Sequence, residues 1–387
     1  MHNIATLQQR PTPFYLYDVA LLKQTLKCIN DEAGKHDNFH VHYAVKANAN
    51  PHLLQIVSQA GLGVDAVSGG EIKAALEAGF PAEKIVFAGV GKSDWEINFA
   101  LDHDIFSFNV ESMPELEVIN ALAAQKGKVA NVCLRINPDV DAHTHSYITT
   151  GLKENKFGIA HEHMLEAVKQ AQQMKNVNLR GLHFHIGSQI LNMEAYAVLC
   201  QRINGFQDQL EAQGIRLGII NVGGGLGIDY DTPEAHPIPD FANYFDTIAC
   251  NLQQRPGQEV HFELGRAVVA QCGSLITRVL FIKETETKKF AIVDAGMTEL
   301  IRPALYGALH KIENLTPATE TTENYDVVGP ICESSDTFAE DYPLLTAKRG
   351  DLLAIRSAGA YGEAMSNQYN CRPHAESLFV EGDETDK

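Results

Sequence analysis

The sequence predicts an α/β protein: a (β/α)8 TIM-type barrel followed by a C-terminal all-β domain, of sandwich or barrel-like form, that also takes in the N-terminal strand. Three observations predict it. Between about residues 39 and 265, short β-branched or apolar runs alternate with amphipathic stretches rich in Ala and Leu, the pattern of βα units around a parallel sheet. Eight such runs occur, which favours a closed barrel over an open doubly wound sheet. After Arg266 the long helical periods stop, and strand-like pieces are joined by turn-rich loops.

In chain order, Phe14–Tyr17 is strand-like and precedes the barrel, so it is assigned to the β domain. The barrel runs are Phe39–Lys46, Leu62–Val67, Lys84–Ala88, Ile105–Val110, Val129–Ile136, Leu179–Ile186, Arg216–Val222 and Glu259–Leu264. Helical text such as Glu71–Ala78 and Met164–Met174 separates them. Beyond the barrel, Ala267–Leu280, Lys289–Val293, Tyr325–Val328 and Leu352–Ile355 read as strands, and the acidic tail Glu381–Lys387 reads as disordered. The predicted bounds are 23–266 for the barrel and 1–22 with 267–387 for the β domain.

Composition narrows the class. A chain of 387 residues that is 45% hydrophobic can bury a large core. The formal charge of −18, from 31 basic against 49 acidic residues, works against binding a phosphate backbone, so nucleic acid is not an expected partner. Seven scattered cysteines without a C-x-x-C pair point to a reducing cytoplasm rather than a zinc or disulfide framework. Neither a signal segment nor a bilayer-length apolar run is present, which predicts a soluble cytoplasmic protein with no membrane partner.

Four motifs stand at predicted strand ends, the face on which barrels of this class carry their chemistry. Lys46, in Tyr43-Ala44-Val45-Lys46-Ala47-Asn48, closes the first run; in apolar text an amine loses solvation and becomes a Schiff-base nucleophile. A lone lysine at a strand end more often snorkels to solvent. His183-Phe184-His185-Ile186-Gly187-Ser188 closes the sixth run and places two imidazoles on one face by period-two alternation. No third ligand stands at a recognisable spacing, so no metal is predicted; an imidazole there can lie on an aromatic ring, while a structural role remains open for His183. Asn221-Val222-Gly223-Gly224-Gly225 follows the seventh run, where glycines let backbone amides converge on a phosphate, although glycine clusters are more often turns. Glu263-Leu264-Gly265-Arg266 ends the eighth, putting a carboxylate and a guanidinium at the same rim. A carboxylate can keep a pyridine nitrogen protonated, and a guanidinium can hold a phosphate or carboxylate.

From Phe14-Tyr15-Leu16-Tyr17-Asp18 through Tyr361-Gly362, these motifs in this order resemble the diaminopimelate decarboxylases among the fold-type-III pyridoxal-phosphate (PLP) enzymes. The stretch Asn137-Pro138-Asp139-Val140-Asp141, with Thr149-Thr150-Gly151 and Lys156-Phe157-Gly158, is similar to that family's own signature. The resemblance implies PLP as cofactor, attached at Lys46, with His185 stacked on its ring and Glu263 on its pyridine nitrogen. It implies that Ser188 and Gly223, Gly224 and Gly225 hold the phosphate, with Gly265, Arg266 and Tyr361 bordering the cofactor and Asp65 and Arg135 as supports. It assigns Arg266, Arg302, Tyr306, Glu333 and Tyr361 to the substrate, and Cys332 to protonation of the carbanion. Cys332 and Glu333 would come from the partner subunit, which implies a homodimer. The implied reaction is decarboxylation of meso-diaminopimelate to L-lysine; ornithine, arginine or a carboxylated polyamine are the alternative substrates. Leu264 departs from the family's usual proline at that place.

Overall fold

The computed structural model describes residues 4–140 and 156–381. Asp141 and Thr149-Thr150-Gly151 of the family-like signature, and all of the acidic tail after Glu381, lie outside the described residues.

All eight barrel runs form strands. With β1 at Phe14–Asp18, they are β2 (Phe39–Ala44), β3 (Gly63–Ala66), β4 (Ile85–Phe87), β5 (Ser107–Val110), β6 (Ala130–Asn137), β8 (Val177–His183), β9 (Ile219–Asn221) and β10 (Glu259–Leu264); the short β7 (Ile159–Ala160) pairs with β6. Each neighbouring pair is parallel, and β5 pairs with β6 while β10 pairs with β2, so the sheet closes on itself. Strands enclosed on both faces need no polar side, and β3 and β5 are buried along their whole length. The returning helices start close after the strand ends because capping residues stand there. Asn50 accepts from the His52 N–H ahead of Pro51, Ser68 from the Glu71 N–H, and Ser112 from the Glu115 N–H. Their apolar stripes, such as Leu53, Leu54, Ile56 and Val57, are buried.

Among the described residues the chain divides into two units, one within 26–227 and 240–265 and the other within 4–25, 228–239 and 266–381. These bounds differ from the sequence-based ones at three places, the first being residues 23–25, which fall in the β unit. Residues 228–239 are inserted between barrel elements in the chain yet belong with the β unit, and so does Arg266. A loop inside a βα repeat carries no compositional mark of the unit it packs with.

In the β unit, β11 (Gly273–Glu284), β12 (Lys289–Val293), β13 (Ile312–Asn314), β14 (Thr322–Val328), β15 (Thr337–Leu345), β16 (Leu352–Ile355) and β17 (Glu376–Val380) join β1. As expected from its text, β1 pairs with this unit, antiparallel to β11 and parallel to β17. The apolar run read as a strand from Ala267 begins instead with a helical turn, Arg266–Val269; period alone does not separate a short buried helix from a strand. β15 escaped notice because it holds Asp341 and Pro343, and its place at the end of the strand order tolerates both. No helix among the described residues is long and apolar enough to cross a membrane.

Candidate active site

In the barrel unit, the C-terminal strand ends gather polar side chains around Glu263. Its carboxylate is buried; Asn109 from β5 and Asn221 from β9 each donate to Oε1 at 2.7 Å, and His183 from β8 lies 3.0 Å from Oε2. Burial opposes ionisation, but the His183 ring with its hydrogen bond, then Lys46 and His185, outweigh it and hold the Glu263 carboxyl well below the usual range. Asp65, at the end of β3, is pushed up to about 8 by burial and then by the charge on Glu263, with Lys46 pulling the other way. The two carboxyls are thereby separated in role: Glu263 carries the negative charge, and Asp65 holds a proton near neutrality.

Lys46 sits in the single helical turn Val45–Ala47 after β2, its Nζ 3.5 Å from Asp65 Oδ2. Its side chain is 42% exposed, so apolar burial, the reason the sequence suggested for its reactivity, is not what the structure provides. The lysine stands instead at an opening, beside a carboxyl that is 1% exposed.

Strand β8 ends at His183, which places His185 in the following loop rather than on the same strand face. Its Nδ1 accepts the Gly224 N–H at 3.2 Å, which puts the ring proton on Nε2. Burial, then the charges of Arg135 and Lys46, keep the His185 pKa well below its ordinary value, so the ring is neutral. The glycine loop after β9 is constrained from both sides. Gly223 and Gly225 have φ of 73° and 109°, and a Cβ on Gly224 would lie 1.7 Å from the Glu263 carbonyl oxygen. Asn221 ties this loop to the carboxylate, its Oδ1 accepting the Gly223 N–H at 2.9 Å while its Nδ2 donates to Glu263. Ser188 follows Gly187 in the neighbouring loop and is half-buried.

Arg135 pairs with the buried Glu111 at 2.7 Å and stacks 4.7 Å from the Phe157 ring. Glu111 also accepts the Gly158 N–H at 2.9 Å, which anchors the chain on that side of the site. Leu264 is fully buried and stands opposite Tyr43 in the β10–β2 pairing. Gly265 after it has room for little else, a Cβ there lying 3.1 Å from that of Ala47.

In the β unit a second constellation forms. Arg266 and Arg302 are both buried, and both donate to the hydroxyl oxygen of Tyr230, at 2.7 and 2.9 Å. Arg302 also donates to His310 Nε2 at 2.8 Å, and His310 Nδ1 donates to the Arg356 carbonyl at 2.8 Å. Burial, then Arg302 itself, push His310 down to about 3, so it remains a neutral acceptor wedged beside the guanidinium. Arg266 stacks 5.0 Å from the Tyr361 ring, and Tyr361 has a positive φ of 58°, a costly backbone state for a residue with a side chain. Tyr306, half-buried, ends the short helix Arg302–Tyr306 and acts electrostatically on Arg266. Cys332 and Glu333 stand apart from this group, both exposed on a turn that Asp336 pins through the Ile331 N–H at 2.7 Å.

Sequence reasoning missed Asn109, Glu111, Tyr230 and His310, and gave Asn221 no role. A polar residue within a short buried strand, as in Ser107-Phe108-Asn109-Val110 and Ile219-Ile220-Asn221, was the available signal for two of them.

The family model for the pyridoxal-binding domain of pyridoxal-dependent decarboxylases matches residues 21–270. A diaminopimelate decarboxylase of Bacteroides thetaiotaomicron is 63% identical over 361 residues, 93% of each chain. The chain belongs to the diaminopimelate decarboxylase family. Solved structures agree: the Helicobacter pylori diaminopimelate decarboxylase complexed with L-lysine is 42% identical, with a TM-score of 0.92 over 98% of this chain and 95% of that one. The M. jannaschii diaminopimelate decarboxylase in complex with L-lysine is 36% identical, with a TM-score of 0.85 over 97% and 89%. Members of this family are PLP enzymes, and the barrel residues fit that group. An accessible amine, a charged buried carboxylate, a neutral imidazole and a loop that admits only glycine suit a flat aromatic ring bearing an aldehyde, a basic nitrogen and a phosphate. Asp65 Oδ1, Asn109 Oδ1 and His183 Nδ1, buried and without hydrogen-bond partners, mark the same region as built for more than its own contacts.

Proposed function

We propose that this chain decarboxylates meso-diaminopimelate to L-lysine and CO2 in the cytoplasm, with Lys46 as the residue that attaches PLP. Ser188 and the amides of Gly223, Gly224 and Gly225 would hold the phosphate, His185 would lie against the ring, and Glu263 would serve the pyridine nitrogen. Asp65 supports Lys46, Arg135 braces the wall through Glu111, and Gly265 allows the backbone to pass close. PLP held there would supply a sink for the electron pair left on Cα as CO2 departs, a sink that an anionic carboxylate beside its ring nitrogen would strengthen. Glu263 can play that part because it stays ionised while buried. Cys332 or Lys46 then returns a proton to Cα.

The observation that carries the choice of substrate is the pair of buried guanidinium groups, Arg266 and Arg302, held on one Tyr230 hydroxyl. The distal end of meso-diaminopimelate is an amino acid, whose carboxylate calls for cations and whose ammonium calls for an anion. Arg266, Arg302, Tyr306 and Tyr361 serve the first need and Glu333 the second. Ornithine offers no distal carboxylate and gives two buried arginines nothing to bind. L-Lysine in the complexes of the two relatives is the product this reading requires. Tyr230→Phe is the corresponding test. It removes the shared acceptor, and KM for meso-diaminopimelate should rise about tenfold with kcat little changed, on the scale of one hydrogen bond to a charged group. An unchanged KM would remove Tyr230 and its arginines from substrate recognition.

The assembly in this reading is a homodimer whose partner subunit supplies Cys332 and Glu333. Their exposure on a single chain supports it. With Cys332 as the proton donor, Lys46→Ala homodimers should be inactive and Cys332→Ala homodimers strongly slowed, while hybrids formed by mixed refolding should regain activity, because one of the two shared sites is then intact. Inactive hybrids in a verified mixed dimer would place Cys332 and Lys46 in the same chain's site.

A further inference from the structure

The end of the barrel strands remote from Lys46 carries a second polar cluster. His40, the second residue of β2, stands opposite His261 in the β2–β10 pairing, and Glu259 precedes His261 by two residues, on the same strand face. One ligand atom from each of His40, Glu259 and His261 lies within 4.8 Å of the others. His261 is buried, Glu259 half-buried and His40 exposed, and all three line a cavity of about 310 Å³ shared with His42 and Lys84.

The hydrogen bonds behind the cluster fix what its inner face presents. The Lys84 carbonyl can only accept, so the proton of the 3.2 Å contact belongs to His42 Nδ1. That leaves His42 Nε2 to accept from His261 Nδ1–H at 2.8 Å. The remaining nitrogen of His261, Nε2, then turns its lone pair toward Glu259 Oε2 at 3.3 Å. A proton or a metal ion can bridge two such acceptors, and a second imidazole, that of His40, is placed to reach the same point, which a proton alone would leave unused.

We infer that His40, Glu259 and His261 form a binding site for a divalent transition-metal ion of the zinc class. Two imidazoles and a carboxylate are a zinc-type donor set, and the exposed side leaves a position for water. His42, held by Lys84, is the outer partner that orients His261, as ligating histidines require. Arg180 stands 4.0 Å from Glu259 and is itself stacked 4.6 Å from the Phe106 ring; its charge opposes the ion and keeps the affinity modest. The site joins β2 to β10, the first and last strands of the barrel, so a bound ion is a clasp on barrel closure rather than a participant at Lys46.

The test uses PLP-loaded enzyme freed of metal by a chelator and then titrated with Co2+, whose visible absorption reports coordination by protein ligands, followed by Zn2+. One Co2+ should bind per chain and be displaced by Zn2+, and Zn2+ should raise the Tm. His40→Ala and Glu259→Gln change an exposed and a half-buried residue, and retained PLP absorbance reports that each still folds. Each should weaken Co2+ binding at least about tenfold and abolish the Zn2+ effect on Tm. Absence of a protein-bound Co2+ spectrum in the wild-type enzyme, or binding that neither substitution alters, would overturn the site. In the first case a proton alone bridges His261 and Glu259; in the second the ion resides elsewhere, for example on the exposed Cys250, Cys332 or Cys371.

Discussion

Lys46→Ala is expected to abolish both turnover and the near-visible absorbance of protein-attached PLP. The fall in kcat should be about ten-thousand-fold or more, the scale on which loss of a covalent nucleophile is felt. The change leaves the fold alone. The lysine is 42% exposed, and its 3.5 Å approach to Asp65 is a long contact that contributes little to stability. Asp65 loses the positive charge that lowers its pKa and so holds its proton more firmly, which keeps the buried pair Asp65 and Glu263 from both being charged. A folded protein by far-UV circular dichroism, with lost absorbance and a Tm lowered only by the loss of bound PLP, is therefore the expected signature. CO2 release at the wild-type rate would remove Lys46 from the chemistry.

Glu263→Gln should retain PLP and the glycine loop yet lower kcat by about a hundred- to a thousandfold, the loss expected when one preorganised electrostatic partner is neutralised. Glutamine keeps the shape, and its carbonyl oxygen can still accept from Asn109 and Asn221, both now bonded to Oε1. What disappears is the charge that faces His183, together with the carboxylate that would keep a pyridine nitrogen protonated. Glu263→Ala is a poorer probe, since it strands two buried amides and an imidazole and costs stability as well. Wild-type kcat in the glutamine variant would show that the carboxylate's charge is not used.

These outcomes depend on residues that differ in how plainly the sequence displayed them. Lys46, His185, Gly223–Gly225 and Glu263 were legible because each closes an apolar run, and closure of eight such runs into one barrel brings their ends together. The strands themselves were shorter than the runs: Phe39–Lys46 became Phe39–Ala44, because Val45–Ala47 turns into a helical loop that presents the lysine. Asn109 and Asn221 were legible only as polar residues in short buried strands, and their role comes from the carboxylate they meet across the barrel. Tyr230 was hidden differently. It lies in a loop of the barrel's sequence that belongs to the β unit, and its partners Arg266 and Arg302 come from elsewhere in the chain. The same holds for His40, Glu259 and His261, which have no metal-ligand spacing in the sequence and meet only because β10 returns to β2. Parallel pairing of the first and last strands is invisible to any local pattern.

Substrate choice tests the account most directly. CO2 release should be measured from meso-diaminopimelate, ornithine and arginine side by side, with and without added PLP. The buried Arg266 and Arg302, bonded to a common Tyr230 hydroxyl, predict PLP-dependent release from meso-diaminopimelate and little from the other two. A kcat/KM for ornithine or arginine equal to or above that for meso-diaminopimelate would contradict it.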